Sequence, residues 1–184
     1  TWTAWETYNT SKNWTLTLGD GIKTLYVQFM DNAGLISDVY ADSIILDTAP
    51  PIIGIPSRIP EGDVEPNQQV KVSVNVTDLI SGLKTVTLYY TNDTVWHSVL
   101  MVFNATSALW ETIIPEHVEG TQVKYWIEAF DNAGNYKVED NSGQYYVYTV
   151  IPRNYTLTIT STFGGTTDPP TGCLLYTSPS PRDS

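Results

Sequence analysis

The stretch VKYWIEAFDNAGN, from Val123 to Asn135, decides the fold. Tyr125, Ile127 and Ala129 alternate with Trp126, Glu128 and Phe130, and a period of two marks a strand with one face on a core and the other turned out. The DNAG that follows predicts a hairpin connection. Asp at the first turn position accepts hydrogen bonds from backbone amides ahead of it, Asn and Ala tolerate the central dihedrals, and Gly supplies the positive φ. The same tetrapeptide stands at Asp31 to Gly34, one hundred residues earlier. That spacing is the length of one small β-domain and predicts a repeated structural unit.

The likeness extends around the turn. NWTLTLGDGIKTLYVQFMDNAG and LWETIIPEHVEGTQVKYWIEAFDNAG share a Trp, an apolar alternation, a Gly and a strand leading into the turn. Trp14 corresponds to Trp110, and Leu25, Val27 and Phe29 to Tyr125, Ile127 and Ala129. Between the copies, VKVSVNVTD places Val70, Val72, Val74 and Val76 on one face and Lys71, Ser73, Asn75 and Thr77 on the other. Further strands are expected at Ile52 to Ile55, Leu83 to Tyr90, Trp96 to Asn104, Leu109 to Ile114, Thr121 to Phe130 and Gln144 to Val150. The count, about seven, suits an all-β antiparallel β-sandwich. In QYYVYTV the parity stays open: either Tyr146 and Tyr148 or Tyr145 and Val147 face the core.

Boundaries follow from composition. Asp47, Thr48, Ala49, Pro50 and Pro51 form a short linker whose two prolines favour extended geometry, and a second boundary falls near Pro152. The expected organisation is the C-terminal part of one domain over 1–48, a complete domain over 49–152 and the start of a third β repeat over 153–172. Without an initiator Met at Thr1, the chain reads as a tandem array truncated at both ends. Residues 1–47, holding only part of a domain, are expected to expose strand edges and part of a core, and so to be marginally stable alone. The segment CLLYTSPSPRDS, Cys173 to Ser184, resembles the translation of a transposase sequencing adapter and is set aside from the fold as non-native. It carries the only cysteine, so a disulfide framework and cysteine chemistry are excluded for the rest.

With these residues in view, Val123 to Asn135 resembles the penultimate strand and following turn of fibronectin type III and related immunoglobulin-like domains. The match lies in Tyr125, Ile127, Ala129 and Gly134. IIPEHVEG is similar to the loop that the family's Tyr hydroxyl caps, TDLISGLKTVTLYY to the second and third strands of bacterial and archaeal surface versions, and LDTAPP to the linker between their tandem copies. Asn154 to Gly172 resembles the opening of an internalin-type repeat. The resemblance implies extracellular β-sandwich modules in series, whose immediate partners are neighbouring β-domains of the same chain.

Composition narrows the chemistry further. The net charge is −11 over 184 residues, with scattered carboxylates and no basic patch, which argues against nucleic acid or an anionic membrane surface as partner. No apolar run is long enough for a membrane-spanning helix. His97 and His117 lack ligand-like spacing, and neither a nucleophile elbow nor a phosphate loop is present, so no enzyme is expected.

Three sets of residues remain as candidates. Asp78, Asp131, Asn132 and Asp140 occupy loop positions and offer hard oxygen ligands, which makes calcium the one candidate cofactor; the competing role is capping of turn amides. Trp126 and Phe130, about 13 Å apart on the outward face at strand rise, form with Tyr89 a platform suited to sugar rings or a partner domain. The competing role there is to stiffen the sheet. Asn9, Asn13, Asn75, Asn92, Asn104 and Asn154 begin Asn-x-Ser/Thr acceptors, and Asn75 points outward on its strand. Together these predict a non-catalytic spacer or adhesion module of a large extracellular or cell-surface protein, archaeal more than bacterial. The alternative is a polysaccharide-binding accessory module of a secreted glycoside hydrolase or peptidase. Partners outside the chain would be a polysaccharide or a cell-surface protein.

Overall fold

The computed structural model describes residues 2–92 and 94–152, and the backbone of 156–157 and 174–175. In chain order the strands are β1 (Gly21–Val27), β2 (Tyr40–Leu46), β3 (Ile52–Ile53), β4 (Ser57–Ile59), β5 (Val70–Val74), β6 (Val76–Thr77), β7 (Leu83–Thr91) and β8 (Trp96–Leu100). They continue as β9 (Val102–Asn104), β10 (Leu109–Ile114), β11 (Gln122–Asp131), β12 (Tyr136–Glu139), β13 (Tyr146–Thr149), β14 (Thr156–Leu157) and β15 (Leu174–Leu175). The described secondary structure is all β, and every strand pair is antiparallel.

Two sheets carry the core. One runs β4-β5-β10-β9; the other runs β12-β11-β7-β8, with β13 joined to β11. Val70, Val72 and Val74 of β5 and Ile114 of β10 belong to the same buried cluster as Val86 and Leu88 of β7, Val123, Tyr125, Ile127 and Ala129 of β11, and Tyr148 of β13. Each aliphatic side chain of this size contributes about 1.5–3 kcal/mol when fully buried. The valine alternation and the alternation of β11 are therefore the two halves of one core.

The tertiary structure divides two of the expected strands and shortens a third. The run from Trp96 to Asn104 breaks at Met101, which is buried and whose amide donates to the Val86 carbonyl at 2.9 Å. The chain there leaves β7, which β8 pairs, for β10, which β9 pairs. The run from Val70 to Thr77 breaks at Asn75, whose carbonyl accepts from the Gly54 amide at 2.9 Å, so that β6 pairs β3. The opening strand is limited to Ile52–Ile53 and followed by β4 against β5. In β13, Tyr148 is buried and Tyr146 stacks on Tyr125 with ring centroids 5.4 Å apart, which settles the parity of QYYVYTV.

Both DNAG turns close hairpins around their Asp, sharing the bonds between Asp and the fourth residue after it and differing in the second side-chain bond. The Asp31 Oδ1 accepts from the Ala33 and Leu35 amides, and the Asp131 Oδ1 from the Gly134 and Asn135 amides. Gly34 and Gly134 both take positive φ, +85° and +99°. Met30 bridges Ile36, and Phe130 pairs Tyr136, so the equivalence at one hundred residues holds in space.

The surroundings of the two turns differ. In β1 and the turn after it, Leu25, Val27 and Phe29 are 39%, 45% and 46% exposed, whereas Tyr125, Ile127 and Ala129 are at most 3% exposed. The hairpin of β1 and β2 forms a two-stranded sheet, and no second sheet covers it among the described residues. The expected third repeat and tail, 153–184, fall largely outside the described residues. Within them, only the backbone pairing of β14 with β15 is described.

Candidate functional site

Two constellations stand out, one where the segment after β2 meets the turns after β6 and β11 and one on the outer face of the larger sheet. At the joint, ligand oxygens of Asp47, Asp78 and Asp131 lie within 4.8 Å of one another. Asp47 comes from the linker, Asp78 follows β6, and Asp131 ends β11. Asp140, the third expected calcium ligand, is not there; it lies beside the aromatic cleft and accepts from the Gly143 amide at 2.9 Å. Of the expected residues, the structure groups Asp78 and Asp131, with Asp47 in place of Asp140. The reason is that β12 carries the chain away from the turn before Asp140 is reached. Asn132 is nearby but uses its amide nitrogen on the Ser81 and Gly82 carbonyls.

Backbone amides already engage each of these carboxylates. The Asp78 Oδ1 accepts from Ile80, Ser81 and Gly82, and Asp47 accepts from Ala49 and, through Oδ2, from Ser81. Asp131 is fully buried, and its Oδ2 accepts from the Asn135 Nδ2 at 2.8 Å. Burial alone would raise its pKa, but the Asn135 side chain and the Asn135, Gly134 and Ala133 amides outweigh that cost and hold it below the ordinary value. The same Asn135 Nδ2 donates to the Asp47 and Ala49 carbonyls at 3.1 and 3.3 Å. These residues can hold a hard cation, and they already tie the segment after β2 to the turns after β6 and β11.

The second constellation is aromatic. Trp126 and Tyr89 are cross-strand partners, and their rings stack 4.1 Å apart at an interplanar angle of 6°. The Tyr89 hydroxyl donates to the Glu128 Oε2 at 3.1 Å, and burial, then this carboxylate, raises its pKa. Two aromatics that sequence reasoning missed complete the cluster. Trp96 meets Trp126 edge-on at 6.4 Å and Tyr145 at 5.3 Å. Val138, Asp140 and Tyr145 close a shallow cleft of about 280 Å³ with Tyr89, Trp96 and Trp126. Phe130, expected on this platform, stacks instead on Tyr136 at 5.5 Å and does not line the cleft.

A change of partner along β11 creates the cleft. β11 pairs β13 through Tyr125 and β12 from Ile127 onward, so Trp126 sits where its neighbour changes. The intervening 140–145 loop turns back through Asn141, Ser142 and Tyr145, all at positive φ, with the Tyr145 amide donating to the Asp140 carbonyl at 2.7 Å. A bulky residue in that region is costly, and here the geometry brings its ring to Trp96 while Tyr146 stacks inward on Tyr125.

Of the other expected residues, Asn9, Asn13 and Asn75 are exposed, while Asn92 and Asn104 are half-buried. The Asn104 Nδ2 donates to the Glu111 Oε2 at 2.9 Å. Asn154 lies outside the described residues. His97 and His117 both pack on Tyr90, with centroids 5.2 and 6.2 Å away. Set beside known proteins, the chain matches no protein-family model and no curated protein.

Proposed function

We propose that this chain is a non-catalytic part of an extracellular or cell-surface protein, built of tandem immunoglobulin-like, fibronectin type III-like sandwiches that act as a stiff spacer. The observation that carries this reading is the joint. Asp47 is 7% exposed although it lies in a linker, and Asn135 and Ser81 of the following unit hydrogen-bond it. A linker tied in this way transmits force and orientation from one module to the next, which a free tether does not. The two prolines after Ala49 stiffen it further. The outer Asn-x-Ser/Thr acceptors, above all exposed Asn75, fit a secreted glycoprotein.

Small-angle scattering and single-molecule pulling test the spacer. A narrow distribution of extension, with one cooperative unfolding event for 49–152, supports it; a broad distribution typical of a flexible tether removes it. A second reading, that of a carbohydrate-binding accessory module, is favoured by the aromatic cleft around Trp126 and Tyr89.

A further inference from the structure

We infer that the cleft formed by Trp126, Tyr89, Trp96, Tyr145 and Asp140 is a selective site for a single neutral hexopyranose ring, with the 140–145 loop as its specificity element. This rests on the second of the two readings above and deepens it. Tyr89, from β7, flanks Trp126 on one side, whereas Val138, Asp140 and Tyr145 stand on the opposite, β12–β13 side. An aromatic wall with a polar group at its margin is the arrangement that takes a pyranose: ring C–H groups lie on the aromatic surface while hydroxyls donate to the carboxylate.

Size and charge narrow the class. About 280 Å³ lies just below the range of ordinary ligand pockets, about 300–1,000 Å³, so the cleft suits one ring or the end of a glycan at most. The only charged group lining it is Asp140, within a chain of net charge −11, which disfavours uronic and sialic acids. Lys124 alternates onto the same outer strand face as Trp126 but does not line the cleft.

The strained loop is the part that a purely structural aromatic cluster would not need. Tyr145 is held at φ +60° by the hydrogen bond its amide donates to the Asp140 carbonyl and by the one the Asn141 Nδ2 donates to its own carbonyl at 3.2 Å. Its ring packs on Trp96 and forms one wall of the cleft. Replacing it with Gly relieves the backbone strain and deletes that wall, which separates binding from folding.

The test is NMR titration of the intact chain, following the Trp126 and Trp96 indole N–H resonances. The probes are the methyl glycosides of glucose, galactose and mannose, methyl glucuronoside, methyl glucosaminide and tetramethylammonium chloride, each at millimolar concentration. The expected result is saturable shifts with at least one neutral glycoside, abolished by Tyr145→Gly at an unchanged or raised Tm and weakened by Asp140→Asn. Shifts with only the glucuronoside or the glucosaminide would overturn the neutral-ring assignment and leave the carbohydrate reading standing. A response to tetramethylammonium alone, or to no probe, would overturn both, and binding that survives Tyr145→Gly would remove the loop from the site.

Discussion

Asn135 reaches back 88 residues in sequence to place its Nδ2 3.1 Å from the Asp47 carbonyl oxygen, and the same nitrogen holds Asp131 at 2.8 Å. One side-chain amide thus joins the linker to the turn that the sequence repeats. Asn135→Ala is expected to leave the Asp47 and Ala49 carbonyls without this partner. That costs about 1–3 kcal/mol for the unsatisfied groups, read as a lower urea midpoint, and widens the distribution of shapes in scattering. An unchanged midpoint with unchanged scattering would mean that the joint is held elsewhere.

Equivalent positions of the two repeats give a contrast of a different kind. Ile127 is fully buried and Val27 is 45% exposed. Ile127→Ala is expected to destabilise the chain by about 2–5 kcal/mol, and Val27→Ala by about 0.5 kcal/mol or less. If chemical denaturation gives Val27→Ala a core-sized penalty, another molecule or segment covers the hairpin in solution.

Glu111 supplies the clearest pH dependence. Hydrogen bonds from Asn104, then Lys71, with Ser107 adding to them, pull its pKa down from 4.5 to about 2. Because the folded value is depressed, the unfolded chain takes up its proton first as the pH falls. The stabilisation is complete above the ordinary carboxylate value and is lost between there and about 2. Denaturation midpoints followed down through this range should fall more steeply for the native chain than for Glu111→Gln, which cannot titrate. Parallel curves would rule out Glu111 as a contributor.

Calcium titration into metal-free protein is expected to leave the Tm unchanged, because backbone and side-chain N–H groups already compensate Asp47, Asp78 and Asp131. Ligand-linked stabilisation rises with the logarithm of free ligand, so a Tm that climbs steadily with calcium would identify the trio as a cation site.

Expression in a glycosylating host should modify Asn75 in preference to Asn104. Asn75 is exposed, whereas the Asn104 amide is engaged with Glu111 and its Oδ1 accepts from Thr106 at 2.9 Å. Peptide mass spectrometry reads the occupancy directly. A higher occupancy at Asn104 would show that this network opens readily.

What the sequence determined by itself is local and periodic. Alternation fixed which faces of β5 and β11 meet the core, because successive side chains of a strand point to opposite sides, while the burial of Ser73 on the other face of β5 comes with its neighbours β4 and β10. DNAG fixed the two hairpin turns, because Asp capping and a positive-φ Gly need only four or five neighbouring residues. What only the tertiary structure decided depends on which distant segments meet. The break at Met101, the replacement of Asp140 by Asp47 in the acidic trio, the loss of Phe130 to Tyr136 and the recruitment of Trp96 and Tyr145 to Trp126 are all of this kind. Strand register and the exchange of partners along β11 set them, and both are settled by packing across the whole unit, at sequence separations over which no local pattern carries information.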